Sequence, residues 1–184
     1  MDDSGIIELF FERSEQAIAE LSRKYGGIIK KLAENILRDK QDAEDCVNDT
    51  YFDVWNAIPP QRPGSLTAFV CRIARNISLD RFRKNSSQKR GAYAVCLDEL
   101  AECVSSKETV ETQFAAAELT KHIEEFLDTL GETNRLIFVR RYWYIDPIKD
   151  IAAASGLSGG AVRTRLTRLR ARLKEYLTER GVDV

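Results

Sequence analysis

Histidine and closely spaced cysteines are what this 184-residue chain most lacks, and their absence restricts its chemistry. The single histidine, His122, is distant from every cysteine, and no two cysteines form a C-x-x-C pair; they are Cys46, Cys71, Cys96 and Cys103. Zinc sites usually need closely spaced ligand pairs, so we expect no metal. We expect reduced, buried thiols, with redox sensing by a thiol as the alternative left open.

Catalytic motifs and long apolar runs are also missing. The chain has no glycine-rich phosphate loop, no nucleophile elbow and no histidine with a base partner, so the sequence predicts no cofactor and no enzyme. The longest apolar run is the six residues 92–97, whereas a membrane-spanning helix needs about 20. The start is acidic and lacks the apolar segment of a signal peptide. We therefore expect a cytoplasmic protein.

Charge is abundant but segregated along the chain. The formal net charge is only −1, yet the sequence sums to −5 over residues 1–71, +6 over 72–90, −8 over 91–134 and +8 over 135–174. A basic block on a helix indicates a surface that can attract phosphate groups. A solvated charged face explains one such block equally well, but two blocks favour nucleic acid.

Apolar residues recur at helical spacing almost throughout, and neither a period-two stretch nor a hairpin signal is present. The sequence therefore predicts an all-α fold of two helical domains. We expect one domain over residues 1–90 and another over 113–184. The stretch 91–112 is acidic and lacks a sustained period, so we predict a flexible linker there.

Residues 146–178 have the pattern of a helix-turn-helix. Asp146 is the expected N-cap of its first helix, Gly156 supplies the left-handed turn, and Ser158 is the expected cap of the second helix. The second helix has a buried stripe at steps of three and four and five arginines off that stripe. Such a helix can enter the major groove of DNA, where arginine can bond guanine through two hydrogen bonds.

Two segments of the first domain have distinctive faces. The helix expected to begin at Asp42 and end near Ile58 presents an acidic face with an exposed aromatic residue, which suits docking on a basic surface. The helix expected after the cap Ser65 mixes arginines with aromatics. That mixture suits a single-stranded nucleic acid, where bases stack or turn out into pockets.

Taken together, these segments resemble the extracytoplasmic function (ECF) sigma factors of bacterial RNA polymerase, within the sigma-70 family. Residues 42–55, DAEDCVNDTYFDVW, resemble region 2.2, which binds the β′ clamp of polymerase. Residues 69–84, with the core RIARN, resemble regions 2.3 and 2.4, which open and read the −10 promoter element. Residues 127–178 resemble region 4, which reads the −35 element as duplex.

The resemblance implies three groups of site residues. The polymerase-binding group is Asp45, Asn48, Asp49, Phe52 and Asp53. The −10 group is Phe69, Arg72, Arg75, Asn76 and Arg81, in which Asn76 matches the lining of a pocket for a flipped base. The −35 group is Arg163, Thr164, Arg165, Thr167 and Arg168. Arg140, Arg141 and Arg165 are expected to touch phosphates.

The implied function is promoter-specific initiation of transcription, with the polymerase core (β′ clamp and β flap) and promoter DNA as partners and no membrane. Whether an anti-sigma factor is a further partner stays open. The alternative is a conventional helix-turn-helix regulator that leaves polymerase alone, which explains residues 146–174 but neither segment of the first domain. A pure interaction protein is a second alternative. Binding to core polymerase distinguishes all three.

Overall fold

A computed structural model describes residues 1–85, 92–101 and 112–182, and all regular structure within these ranges is helical. The all-α prediction is therefore confirmed. The chain divides into two compact units, Met1–Gly91 and Ala92–Val184. Among the described residues, no helix combines the length and the apolar character needed to cross a membrane.

The described part of unit 1, residues 1–85, contains four helices, α1 (Asp3–Phe11), α2 (Gln16–Leu37), α3 (Lys40–Ala57) and α4 (Leu66–Asn85). Apolar residues at steps of three and four along α2 form a stripe that α3 and α4 cover. The fully buried side chains include Phe10, Leu21, Ile29, Ile36 and Val54. The α2–α3–α4 packing fixes which faces of α3 and α4 remain exposed.

Capping side chains mark the beginnings of α3 and α4. The side chain of Asp39 accepts a hydrogen bond from the backbone N–H of Asp42 at 2.9 Å, so Asp39 caps α3 and the prediction of Asp42 as its cap is wrong. Asp42 is in the first turn, where a carboxylate is favoured by the helix dipole. The expected cap Ser65 is confirmed, because its Oγ accepts from the N–H of Ala68 at 3.3 Å.

Unit 2 contains α5 (Ala92–Ala101), α6 (Thr112–Asp128), α7 (Glu132–Tyr142), α8 (Ile148–Ser155) and α9 (Gly159–Thr178). An aromatic cluster joins α6, α7 and α9. Its ring centroids are separated by 6.0 Å between Phe126 and Phe138, and by 5.5 Å between Phe126 and Tyr176. Edge-on aromatic pairs at such distances add to the stabilisation from area burial.

The helix-turn-helix is formed by α8 and α9. Gly156 adopts a left-handed conformation with φ of 69° at the end of α8, and Ser158 Oγ accepts from the N–H of Ala161 at 3.2 Å. The predicted stripe on α9 is buried along its whole length; it consists of Val162, Leu166, Leu169, Leu173 and Leu177. Asp146 does not cap α8. Its buried carboxylate bonds Arg140 instead, at 3.0 Å.

Ten consecutive residues of the predicted linker form a helix in the part of the chain that the structure describes. Residues 92–101 form α5, in which Cys96 is buried and its Sγ lies 3.5 Å from the carbonyl oxygen of Arg141 on α7. The prediction of a flexible tether is therefore wrong for this stretch. The buried Cys96 and the bonds between Glu99 and Arg141 attach it to α7, and such tertiary contacts are not visible in the periodicity. The remaining linker positions 91 and 102–111 lie outside the described residues, and position 112 begins α6.

Candidate protein and nucleic-acid interfaces

The exposed side of α3, which we name the α3 face, contains all five predicted polymerase-binding residues: Asp45, Asn48, Asp49, Phe52 and Asp53. The opposite side of the helix is buried through Ala43, Cys46, Thr50 and Val54. Because the buried positions recur at steps of three and four, the other positions must point outward. Phe52 is 65% exposed, so the α3 face presents an aromatic ring among its carboxylates.

Arg81 on α4 is bound to the α3 face. Its Nη1 lies 3.0 Å from Asp45 Oδ2, and its Nη2 lies 3.3 Å from Asp49 Oδ2. Burial alone lowers the pKa of the guanidinium, but the hydrogen bond to Asp45 and the nearby carboxylates outweigh that effect and raise the pKa overall. A residue predicted to contact −10 DNA is therefore paired with two residues predicted to contact polymerase.

The other predicted −10 residues separate into two groups. Arg72 and Asn76 are exposed and one helical turn apart on α4, so the structure brings them together on one face. Arg75 is half-buried, whereas Phe69 is only 7% exposed. Phe69 faces the core, and Arg72 covers its ring with 5.5 Å between the guanidinium carbon and the ring centroid. In this conformation Phe69 presents no face on which a base could stack.

The exposed side of α9, which we name the α9 face, includes Arg163, Thr164, Thr167 and Arg168. Arg168 lies one turn from Thr164, opposite the buried stripe. The hydroxyls of both threonines donate to carbonyl oxygens of their own helix, those of Gly160 and Arg163, at 3.1 and 3.2 Å. The threonine methyl groups and oxygens remain on the surface. Such a face combines groups that can contact thymine methyls and base edges.

Arg165 differs from its neighbours on α9. It is half-buried, and its Nη1 donates to Asn134 Oδ1 on α7 at 3.0 Å. Asn134, Arg165, Arg168 and Arg172 line a concave site of about 340 Å³ between the two helices. The lining is basic and contains no carboxylate, so it suits an anion such as a DNA phosphate.

Two arginines predicted to touch phosphates have internal partners instead. Arg141 is 7% exposed, and its Nε and Nη2 bond both oxygens of Glu99 at 3.2 and 2.7 Å. Arg140 bonds the buried carboxylate of Asp146. Arg141 therefore cannot reach DNA in this conformation, because α5 covers it with a carboxylate.

Glu99 is a residue whose role the sequence did not indicate. Besides Arg141, it accepts a hydrogen bond from Tyr142 Oη at 3.1 Å and lies 3.7 Å from Nη1 of Arg170. Burial raises the pKa of Glu99, but the hydrogen bonds from Arg141 outweigh burial and hold it below its usual value. Burial also raises the pKa of Tyr142 far above its ordinary value. This Glu99 cluster joins α5, α7 and α9.

Across the described ranges, no three histidine, cysteine or acidic side chains are arranged to hold a metal ion. The side chains of Cys46, Cys71 and Cys96 are buried in their respective units. Burial raises the pKa of the Cys46 thiol, and a protonated, inaccessible thiol is a poor nucleophile. The fourth cysteine, Cys103, lies outside the described residues.

Known proteins offer three informative similarities. Residues 21–88 match the family model for sigma-70 region 2. The chain is 25% identical over 164 residues to the ECF RNA polymerase sigma factor SigE of Mycolicibacterium smegmatis. The aligned region covers 89% of this chain and 63% of that protein. It is 29% identical over 170 residues to the RNA polymerase sigma factor CnrH of Cupriavidus metallidurans, covering 89% and 88% of the two chains.

A solved structure is also similar. It is CnrH in complex with the cytosolic domain of CnrY, with a TM-score of 0.46 and 21% identity, covering 96% of this chain and 97% of that one. The chain spans less than two thirds of the length of the Mycolicibacterium relative.

Proposed function

We propose that this chain, which belongs to the ECF group of the sigma-70 family, binds core RNA polymerase and directs it to promoters. In this proposal unit 1 performs the region 2 role and unit 2 performs the region 4 role. Helix α5 is part of unit 2. The boundary between the two roles therefore lies near residue 91, and residues 92–101 belong to unit 2 rather than to a linker.

The α3 face supports the polymerase contact. It combines exposed carboxylates with an exposed aromatic side chain on a helix whose other side is fixed in the core. Complementary charge steers association and sets orientation, while a desolvated aromatic residue supplies affinity. A basic, partly apolar surface on polymerase, such as the β′ clamp, would suit both properties.

Arg72 and Asn76 on α4 support contact with the melted −10 strand. They are exposed one turn apart, so one strand could meet a guanidinium and an amide together. Guanidinium groups bond phosphates, and an amide can read the edge of an unpaired base. The −10 role for Phe69 would require a change of its rotamer or of the local packing.

The observation that most strongly supports DNA recognition is the α9 face. Thr164, Thr167 and Arg168 lie on the surface opposite a buried stripe, on the second helix of a capped helix-turn-helix. We assign this face to the −35 element. The basic site beside Asn134 would then meet the DNA backbone through Arg165 and Arg172.

A helix-turn-helix regulator that does not bind polymerase would also use the α9 face, but it would have no need of the α3 face. Two measurements test the proposal. The purified chain should co-elute with core polymerase in gel filtration, and the resulting complex should transcribe selectively from a promoter library with randomised −35 and −10 elements. Duplex binding without polymerase binding would favour the regulator.

A further inference from the structure

Glu99 fills a site on unit 2 whose donors suit an anion. Arg141 Nε and Nη2 donate to its two oxygens at 3.2 and 2.7 Å, Tyr142 Oη donates at 3.1 Å, and Nη1 of Arg170 lies 3.7 Å away. Tyr142 Oη also accepts a hydrogen bond from Arg170 at 3.1 Å. Two guanidinium groups and a hydroxyl therefore converge on one carboxylate, and the same donors suit a phosphate. We name Arg141, Tyr142 and Arg170 the flank site.

The flank site lies on the side of α9 away from the basic site beside Asn134. Arg170 and Arg172 are two positions apart, and two positions on an α-helix differ by about 200° in direction. Arg172 lines the site beside Asn134, so Arg170 lies on the other flank of the helix. A helix in the major groove has a DNA backbone strand on each side. The α9 face therefore has a basic group toward one strand, whereas the arginine toward the other strand is held by Glu99.

Helix α5, which carries Glu99, depends on unit 2 for its structure. It has ten residues, and an isolated helix shorter than about 12–15 residues is marginal in water. Cys96 is buried against the carbonyl oxygen of Arg141. Val95 and Asp98 are exposed, so one side of α5 already faces water. An element of this size can open locally while the aromatic cluster that joins α6, α7 and α9 stays folded.

We propose that the flank site is a second binding site for the DNA backbone, and that α5 closes it in the free chain by placing Glu99 in it. When α5 detaches, Arg170 and Arg141 become available to the phosphates of the strand opposite the Asn134 site. Duplex binding and α5 docking then exclude each other, so each weakens the other by linkage. The proposal rests on the part of the proposed function in which the α9 face enters the major groove.

The experiment measures binding of the full chain to a short fluorescent duplex of mixed sequence by anisotropy, because backbone contacts carry no sequence information. Glu99→Gln should raise the affinity about tenfold at low salt and steepen the slope of log K against log salt by about one to two, because one or two arginines gain phosphates. Adding Arg170→Gln should remove most of the gain. Arg170→Gln alone should change the affinity by less than about twofold, because Glu99 already neutralises that arginine.

Two controls separate release of α5 from a change of net charge. Glu124→Gln removes one negative charge from an exposed position of α6 in the same unit. Cys96→Gln keeps the charge of the chain and places a larger, polar side chain where α5 packs on α7, so it should release α5 and raise the affinity in the same direction. The proposal would be overturned by an equal gain from Glu124→Gln, by no gain from Cys96→Gln, or by a gain that fully survives Arg170→Gln.

Hydrogen exchange shows whether α5 has left its site. The backbone amides of α5 should exchange faster in Glu99→Gln, in Cys96→Gln and in the wild-type chain saturated with duplex, while those of α7 and α9 stay protected. The wild-type measurement does not depend on the folding of any variant. Unchanged protection of α5 in the wild-type complex would overturn the proposal, even if the variants bind the duplex more tightly.

Core polymerase tests the proposed function separately. Selective transcription from the promoter library without an Arg170-dependent gain in duplex binding would overturn the flank site alone. An Arg170-dependent gain without binding to core polymerase would overturn the proposed function, while the flank site would stand as part of a duplex-binding unit. Both results together support a sigma factor in which α5 leaves unit 2 when the duplex binds.

Discussion

Arginines on α4 and α9 lie on helices of the same length but have different surroundings. On α9, Arg163 and Arg168 point away from the buried stripe, whereas Arg81 on α4 lies on carboxylates of α3. Arg141 on α7 is an extreme case, since Glu99 of α5 covers it. A basic helix can therefore present its arginines to a nucleic acid only where no neighbouring helix places a carboxylate beside them.

Charge reversal on the α3 face should have the largest effect. Asp49→Lys with Asp53→Lys should weaken binding to core polymerase by about a hundredfold or more, because like charges brought together at an interface cost several kcal/mol. Fluorescence titration with labelled core measures this. The matched control is Glu15→Lys with Glu44→Lys, which reverses two charges elsewhere in unit 1. Equal weakening by both variants would show that net charge, rather than the α3 face, controls binding.

Removal of the acid that covers Arg141 should destabilise unit 2. Glu99→Ala leaves a mostly buried guanidinium without its carboxylate, so we expect a loss of about 2–3 kcal/mol in the free energy of unfolding. Urea denaturation followed by circular dichroism measures it. Glu124→Ala, at an exposed position of α6, should change stability by less than about 0.5 kcal/mol.

Lowering the pH should reduce the contribution of the Glu99–Arg141 ion pair to stability. The pKa of Glu99 is lower in the folded protein than its ordinary value, so its contribution is complete above the unfolded pKa of about 4.3 and falls as the pH drops through the folded pKa. The stability difference between wild type and Glu99→Gln should therefore shrink below about pH 4. A difference that is constant from pH 7 to pH 3 would contradict the ion pair.

Arg168 tests whether the α9 face reads bases. Arg168→Ala should cost about 1–3 kcal/mol of discrimination at one −35 position and relax the preference there. Selection from a randomised −35 library measures this. The competing result is an unchanged preference at every position with a weaker salt dependence, which would assign Arg168 to the phosphate backbone together with Arg165.

The smallest expected effect concerns Arg172, one turn further along the basic site beside Asn134. Arg172→Ala should weaken binding to all duplex sequences alike and reduce the slope of log K against log salt by about one. Binding isotherms between low and moderate salt measure the slope. Arg180→Ala is a control, because Arg180 covers the ring of Tyr176 near the end of the chain and should leave the slope unchanged.

Periodicity predicted much of the fold. The stripe from Val162 to Leu177 and the outward position of Phe52 follow from steps of three and four along a single helix, and the structure confirms both. The caps were less predictable. Asp39 and Asp42 both have a carboxylate near the start of α3. Only the path of the backbone decides which carboxylate accepts a hydrogen bond from a backbone N–H.

Spacing within a single helix is enough to predict the helical class, the order of the two units, the helix-turn-helix and the residue types on the α3 and α9 faces. Which arginines remain exposed depends instead on the packing between helices. Arg81, Arg140 and Arg141 have the same charge as Arg168, but each of the three lies beside a carboxylate. Asp45 and Glu99, which pair with Arg81 and Arg141, are distant from them in sequence, and Asp146 reaches Arg140 because a turn follows α7. An ion pair depends on distance in space, and packing between helices sets that distance.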